Sequence, residues 1–345
     1  MATPSLRAMR DSLPGIFIGG LMRPGIDQVL AGTTFFDEVH TIRRDGVMGP
    51  KFTAAKIRPR RYDTALLFTN SFSTALVTRI AGIPRRIGYD RDARGILLTD
   101  RLRAPKRPSG DWAPIPAVDY YWRLARYLID GPEVIAHDAA PSCLAARPPI
   151  YMELATTPEE EQAADALLAR AGLPPETLSS ARFGVLNPGG NNPAKRWPPD
   201  RFAAVADHLA ARQGLQVLVN GSPDEVGLAD EIARRARSPV VRLPALGITL
   251  GSLKALARRS AVMVTNDTGP RHIAAAFGVP VVSLFGPTDH RWTTIPTRPG
   301  GPEAVLVADP TLPESEVAND HPERCRIERI EVGDVIAAVD RVLAR

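Results

Sequence analysis

Residues Ala261–Thr288 read AVMVTNDTGPRHIAAAFGVPVVSLFGPT, and the reading of this stretch decides the fold. Val262–Thr265 is β-branched and apolar, as a strand covered on both faces of a parallel sheet must be. Asn266-Asp267-Thr268-Gly269 is turn chemistry with residues that cap helices. Pro270 suits the first helical turn, where its missing N–H would have been an orphan. Ile273, Ala274 and Phe277 share one helix face, Gly278 suits the helix end, and Val281–Phe285 is the next strand. Such a turn leaves free amides and the positive end of a helix dipole at the carboxyl edge of a sheet. That is a seat for an anion, a diphosphate above all. Asp267, Thr268, Gly269 and His272 would add contacts to a sugar, a ribose or a phosphate. Taken alone, the turn fits an ordinary β–α connection capped by Asp equally well.

The alternation extends outward over the chain. Before the opening stretch come a strand at Arg182–Leu186, a helix at Arg201–Gln213 and a strand at Leu215–Asn220. A helix at Asp224–Ala236, a strand at Val240–Leu243 and a helix at Leu250–Arg258 follow. Thr157–Ala171 is a helix with Glu159, Glu160 and Glu161 in its first turn, where the dipole favours them. The first half alternates too. Helices are expected at Thr3–Ser12, Pro24–Ala31, Thr74–Ala81 and Pro114–Leu128, and strands at Gly15–Gly20, Glu38–Ile42, Tyr62–Thr69 and Arg86–Tyr89. Alternation of this kind means βαβ units and parallel sheets. Gly131–Tyr151 is rich in Pro and Ala, has no period and reads as a linker. The fold class is therefore α/β: two doubly wound, Rossmann-like domains, 1–150 and 151–345, facing a cleft. Val332–Leu343, a closing amphipathic helix, is a candidate to pack back on the first domain.

Size and composition agree. A chain of 345 residues exceeds one hydrophobic core. Hydrophobic residues make up 44% and charged ones 23%, as in a globular protein in water, and no apolar run is long enough to span a bilayer. Cys143 and Cys325 have no metal-ligand spacing and suit a reducing compartment. Met1–Gly131 holds 21 Lys and Arg against 12 Asp and Glu, so the net charge of +5 is concentrated in the first half. A basic domain suits nucleic acid, an anionic membrane or an acidic substrate, and equally a plain solvated surface.

A second loop, Leu186–Asp200, reads LNPGGNNPAKRWPPD between a strand and a helix. Gly189 and Gly190 allow backbone amides close approach, Lys195 and Arg196 bring positive charge, and Trp197 is placed to wall a pocket. The loop is not a Walker A sequence.

Together the two loops resemble glycosyltransferase family nine, the ADP-heptose:lipopolysaccharide heptosyltransferases. The resemblance rests on PGG…AKRWP followed by TNDTG and its helix. In the first half it rests on Thr69–Leu76 and Ala81–Tyr89, which look like the heptosyltransferase II branch. It implies the two-domain GT-B glycosyltransferase fold and inverting, metal-independent transfer. The donor would be ADP-L-glycero-D-manno-heptose, held by the second domain. The acceptor would be the anionic inner core of lipopolysaccharide at the membrane surface, held by the first. On this reading Lys195, Asp267, Thr268, Gly269, His272, Glu225, Gly189 and Gly190 face the donor. Asn70, Ser71 and Arg86 face the acceptor. No cofactor, metal or nucleic acid is expected, and the location would be cytoplasmic, peripheral on the inner membrane. The family's general base is the Asp of a Gly-Asp turn that follows a first strand. The resemblance places both ahead of Ala2, so the expected base lies upstream of Met1.

Two other readings stand beside this one. A non-catalytic ADP-sugar-binding protein would keep both loops and lack the base. A nicotinamide dehydrogenase would need GxGxxG after a strand, and none is present. Asp90-Arg91-Asp92 matches a D-x-D metal pattern but reads as a surface loop.

Overall fold

The computed structural model describes residues 1–42, 46–135, 142–146, 149–173 and 182–344. Much of the expected linker lies outside these residues. The chain forms two compact units. One comprises Met1–Gln28, Thr33–Ile150 and Arg291–Pro296; the other comprises Val29–Gly32, Tyr151–His290 and Thr297–Arg345.

In the second unit, six parallel strands form one sheet. They are β6 (Phe183–Asn187), β7 (Gln216–Val219), β8 (Val240–Arg242), β9 (Val262–Asn266), β10 (Val281–Phe285) and β11 (Glu303–Val307), in the spatial order β11-β10-β9-β6-β7-β8. The helices are α6 (Pro158–Arg170), α7 (Pro199–Gln213), α8 (Val226–Arg235), α9 (Leu250–Arg259), α10 (Gly269–Ala276) and α11 (Val332–Leu343). Side chains alternate across a strand, so Leu186, Val217, Val219, Val262, Val264, Val282 and Leu284 present one apolar face. Phe202, Val205 and Leu209 of α7, Ile232 of α8 and Val335, Val339 and Val342 of α11 cover it. The alternate residues Val185, Leu218 and Met263 are buried on the opposite face. The apolar stripe of Val332–Leu343 belongs to the core of the second unit.

Local chemistry sets the helix ends. Thr157 caps α6 in a reciprocal capping box with Glu160, and Thr249 does the same for α9 with Ser252. Gly214, in the left-handed region at φ 65°, ends α7. The sheet order makes a topological switch. From β6 the chain runs outward through β7 and β8, then returns to place β9 on the other side of β6. The crevice beyond the carboxyl ends of β6 and β9 is where such sheets take ligands.

The first unit holds α1 (Thr3–Ser12), β1 (Gly19–Met22), β2 (Glu38–Thr41), α3 (Gly49–Ile57), β3 (Thr64–Leu67), α4 (Phe72–Ile80), β4 (Arg85–Tyr89), β5 (Asp100–Leu102) and α5 (Ala117–Asp130). A short helix α2 (Ile26–Leu30) precedes β2. Its strands are all parallel but form two sheets, β1-β2 and β3-β4-β5, where sequence reading expects one. An apolar cluster of Met9, Ile18, Phe36, Leu66, Phe68, Ala125 and Leu128 draws on both sheets and on the helices over them.

Candidate functional site

Both candidate loops leave the strands at the switch point. Loop 188–198 follows β6, and the turn Asp267-Thr268 follows β9; Asn187 and Thr265 are register partners across the two strands. Three asparagines stand at the carboxyl ends of adjacent strands: Asn187, Asn220 and Asn266. All are buried. Asn220 Nδ2 donates to Asn187 Oδ1 at 2.6 Å, and Asn187 Nδ2 donates to Thr268 Oγ1 at 2.8 Å and Thr265 Oγ1 at 3.1 Å. Asn266 Nδ2 donates to Pro188 O at 2.7 Å, and its Oδ1 accepts from Trp197 N at 3.3 Å. A buried amide left unbonded costs about 1–3 kcal/mol, so this network holds the two loops in one arrangement.

That arrangement brings Lys195 and Asp267 together. Lys195 Nζ lies 3.1 Å from Asp267 Oδ2, with side chains 23% and 10% exposed. Behind Asp267 sits Arg271, wholly buried. Its guanidinium lies 3.7 Å from Asp267 Oδ1 and donates to Glu303 Oε1 at 2.7 Å and Ser283 Oγ at 3.0 Å, over the Phe285 ring. Thr268 is the N-cap of α10 with an extended backbone and no side-chain capping bond. The amides of the first turn, beginning at Gly269, therefore head the helix as sequence reading expects. His272 follows on α10. Its Nδ1 is buried without a hydrogen-bond partner among the described residues. Burial, and then the Arg271 cation, push its pKa well below the usual imidazole value, so the ring is neutral.

Glu225 and the two glycines make one assembly. Gly190 N donates to Glu225 Oε1 at 2.9 Å, and Ser222 N donates to Oε2 at 2.8 Å in a capping box. A Cβ on Gly189 would come within 2.3 Å of the Glu225 carboxylate, so a larger residue there would displace that carboxylate. A Cβ on Gly190 would meet Thr268 Cγ2 at an ordinary 3.4 Å, with Asn192 O and Arg196 Cγ farther off. Burial raises the pKa of Glu225, but the Ser222 and Gly190 amides, the Ser222 hydroxyl and Arg196 outweigh it and hold the carboxyl low. Trp197 does not wall a pocket. It is fully buried, edge-on to Phe202 with ring centroids 5.1 Å apart, and its Nε1 donates to Ile330 O at 3.0 Å.

In the first unit, Asn70 follows β3 and Ser71 is the N-cap of α4. Asn70 Oδ1 accepts from Tyr120 Oη at 2.9 Å and from Arg94 at 3.2 Å. Arg94 is fully buried and also donates to the carbonyls of Thr69 and Tyr89. Burial pulls its pKa below the ordinary guanidinium value. Arg86, the third residue expected at the acceptor, is engaged with the main chain. It lies in the opening half of β4, away from the strand's carboxyl end. Its guanidinium donates to Leu97 O at 2.7 Å, Ile83 O at 2.6 Å and Pro84 O at 2.9 Å, as a main-chain clamp. The residue that joins Asn70 is Arg94, which sequence reading missed. Its position just past the end of β4 was the available signal. Beside it, Arg91 stacks 3.9 Å from the Trp112 ring centroid, with Lys106 5.0 Å from the same ring. Asp90 and Asp92 are exposed, and among the described residues no three His, Cys, Asp or Glu side chains cluster as a metal site.

Residues 53–319, which include every candidate named above, match glycosyltransferase family 9 (heptosyltransferase). Lipooligosaccharide heptosyltransferase 2 of Haemophilus influenzae is 29% identical over 252 residues, covering 71% of this chain and 66% of that protein. Lipopolysaccharide heptosyltransferase 2 of Escherichia coli K12 is 30% identical over 249 residues, covering 69% of this chain and 63% of that protein. The chain thus spans less than two thirds of the length of either relative. Among solved structures, E. coli ADP-heptose LPS heptosyltransferase II superposes with a TM-score of 0.77 at 22% identity, covering 99% of this chain and 94% of the other. A glycosyl transferase family 9 structure from Veillonella parvula gives 0.77 at 20% identity, covering 99% and 92%. These likenesses bear on the fold: two Rossmann-like domains of the GT-B type. Among the described residues no helix is long and apolar enough to cross a membrane.

Proposed function

From the premise that the chain belongs to glycosyltransferase family 9, the heptosyltransferase family, we propose that it transfers heptose from ADP-L-glycero-D-manno-heptose to the inner core of lipopolysaccharide. The reaction is inverting and needs no metal. The observation that carries the reading is the Lys195–Asp267 pair, 3.1 Å apart at the switch point, beside the first turn of α10. A diphosphate bound there meets the ammonium of Lys195 and the Gly269 amide, with His272 in the same first turn of the helix. Asp267 and Thr268 take the sugar side, and Glu225, fixed by Gly190 and Ser222, takes ribose hydroxyls through its remaining lone pairs.

In transfer, the acceptor oxygen bonds to the anomeric carbon as the bond from that carbon to the diphosphate oxygen breaks. The electron pair leaves with ADP, and the acceptor proton passes to a base. Lys195 and the α10 amides stabilise the negative charge on the departing diphosphate. Asn70 and Ser71, with the Arg91 and Lys106 cations around Trp112, receive the anionic acceptor in the first unit, and buried Arg94 holds Asn70 in position. The reading puts the protein in the cytoplasm, peripheral to the inner membrane.

The test is calorimetric titration of ADP-heptose against UDP- and GDP-sugars, followed by transfer to a heptosyl-Kdo₂-lipid acceptor. Preference for the ADP-sugar together with turnover is expected. Preference for a UDP-sugar overturns the donor assignment. Tight ADP-heptose binding without turnover would favour a binding protein over a transferase.

A further inference from the structure

The segment Gly46–Arg61, GVMGPKFTAAKIRPRR, carries five cations and no carboxylate. It supplies α3, whose inward residues Thr53, Ala54 and Ile57 are buried. Ala54 and Ile57 pack with Val77 of α4 and with Ile83. The outward side is unlike an ordinary solvated helix. Val47 is 97% exposed, Phe52 69% and Met48 48%, three large apolar side chains within six residues. Met48 and Phe52 are four apart and lie one above the other. Single exposed apolar residues are normal, but a cluster at the tip of one element marks a contact surface. Lys51 is exposed beside it and Lys56 one turn on, and Arg58 and Arg61 are exposed at the far end of the helix.

The orientation of α3 follows from its contacts with β2. Arg60, just past the helix, donates to Glu38 at the start of β2 at 2.9 Å, and Lys56 Nζ donates to Thr41 O at its end at 3.3 Å. The helix therefore runs against the strand. Its first turn, with Val47, Met48 and Phe52, extends past the carboxyl end of β2.

We propose that this turn docks on a bilayer containing anionic lipid, with Val47, Met48 and Phe52 entering the interface and the flanking cations meeting lipid phosphates. An apolar tip flanked by Lys51 and Lys56 is complementary to that surface and not to a neutral or basic protein face. The partner belongs to the reading above, since a lipid-borne acceptor is met at such a surface. The test uses vesicles without donor or acceptor, so its outcome is independent of turnover.

The full chain is sedimented with phosphatidylglycerol–phosphatidylcholine vesicles and with pure phosphatidylcholine vesicles. Binding to the anionic vesicles, weakened by salt, is expected, with at least ~tenfold loss in the Val47→Ser/Phe52→Ser double variant and in Lys51→Glu. Phe52→Trp should blue-shift in fluorescence on vesicle addition. None of these changes touches the buried side of α3, so unchanged thermal unfolding is the check on folding. Equal binding by wild type and double variant, or no blue shift, overturns the proposal. Dimerisation of the wild type that the double variant abolishes, without vesicle binding, assigns the patch to a second copy and also overturns it.

Discussion

Replacing Lys195 with Ala probes the donor site most directly, and the structure sets the size of the effect. In the free protein the ammonium is held 3.1 Å from Asp267 Oδ2, so an arriving diphosphate does not meet a wholly unengaged cation. A charge-assisted hydrogen bond is worth about 1.5–3 kcal/mol, roughly ten- to 150-fold in affinity. Lys195→Ala should lose that bond to ADP and also leave Asp267 facing the anion. Asp267 would then retain Thr288 Oγ1 at 3.4 Å and the Arg271 guanidinium at 3.7 Å. Repulsion from this carboxylate adds to the loss and places the effect toward the upper end. Asp267→Asn alone acts the other way: it releases Lys195 and removes the like charge, so ADP should bind as well or tighter. The double variant should recover part of the Lys195→Ala loss, with a coupling of about 1 kcal/mol or more. Calorimetric titration of ADP at low and high salt measures all four corners. An unchanged ADP dissociation constant in Lys195→Ala, or a cycle that closes additively, would remove this pair from the donor site.

Three further outcomes are expected. Arg271→Met leaves Glu303 and Asp267 without the cation between them and should destabilise the fold by about 3–5 kcal/mol, read as a lower urea midpoint; a loss under 1 kcal/mol would refute the pairing. Glu225 has a folded pKa below its ordinary value, so its contribution is complete above the unfolded pKa near 4.5 and fades as pH falls through the folded one. Glu225→Gln should therefore be less stable than wild type at pH 6, and the gap should narrow under acid; a gap that is constant with pH would contradict this. Transfer activity should survive EDTA, because the cationic role is assigned to Lys195 and α10; loss on chelation with rescue by magnesium or manganese would return Asp90 and Asp92 to consideration.

The second unit was legible because local and global signals agree there. The expected strands at Arg182–Leu186, Leu215–Asn220 and Val262–Thr265 fall within one or two residues of β6, β7 and β9. Thr157 and Glu160 form their capping box, and Gly214 ends its helix. Only the edge strand β11 escaped, although Pro299-Gly300-Gly301-Pro302 directly ahead of it is a turn signal. The first unit resisted for identifiable reasons. Ile16 and Phe17 look like strand and are exposed, while β1 begins at Gly19. A Cβ at Gly19 would fall 2.0 Å from the Tyr62 phenol oxygen, so the poor strand former is the residue that fits. Asp37 Oδ2 accepts from Ile18 N at 2.7 Å and fixes where the strand starts, a contact over nineteen residues that no window reports. Helix α3 went unseen because Phe52 is exposed while Thr53 is buried, which blurs the period that a helix reading needs.

The site itself divides along the same line. Lys195, Asp267 and His272 are readable because chemistry needs those groups at a helix start. Asn187, Asn220 and Asn266 stood in plain view at three strand ends and received no role. Yet a strand that runs apolar to its last residue and then buries an amide has a physical reason to do so. In a core the amide must find partners for two donors and two acceptor lone pairs. Here the partners are Thr265 and Thr268 for Asn187, the Asn187 carbonyl for Asn220, and Pro188 O and Trp197 N for Asn266. Every bond joins a strand end to one of the two loops or to the neighbouring strand end. Lys195 meets Asp267 because Asn266 holds one loop while Asn187 holds the other. A buried polar residue at the carboxyl end of a parallel strand is thus itself a site signal. It marks a place where the backbone beyond the strand is held in position ahead of its ligand.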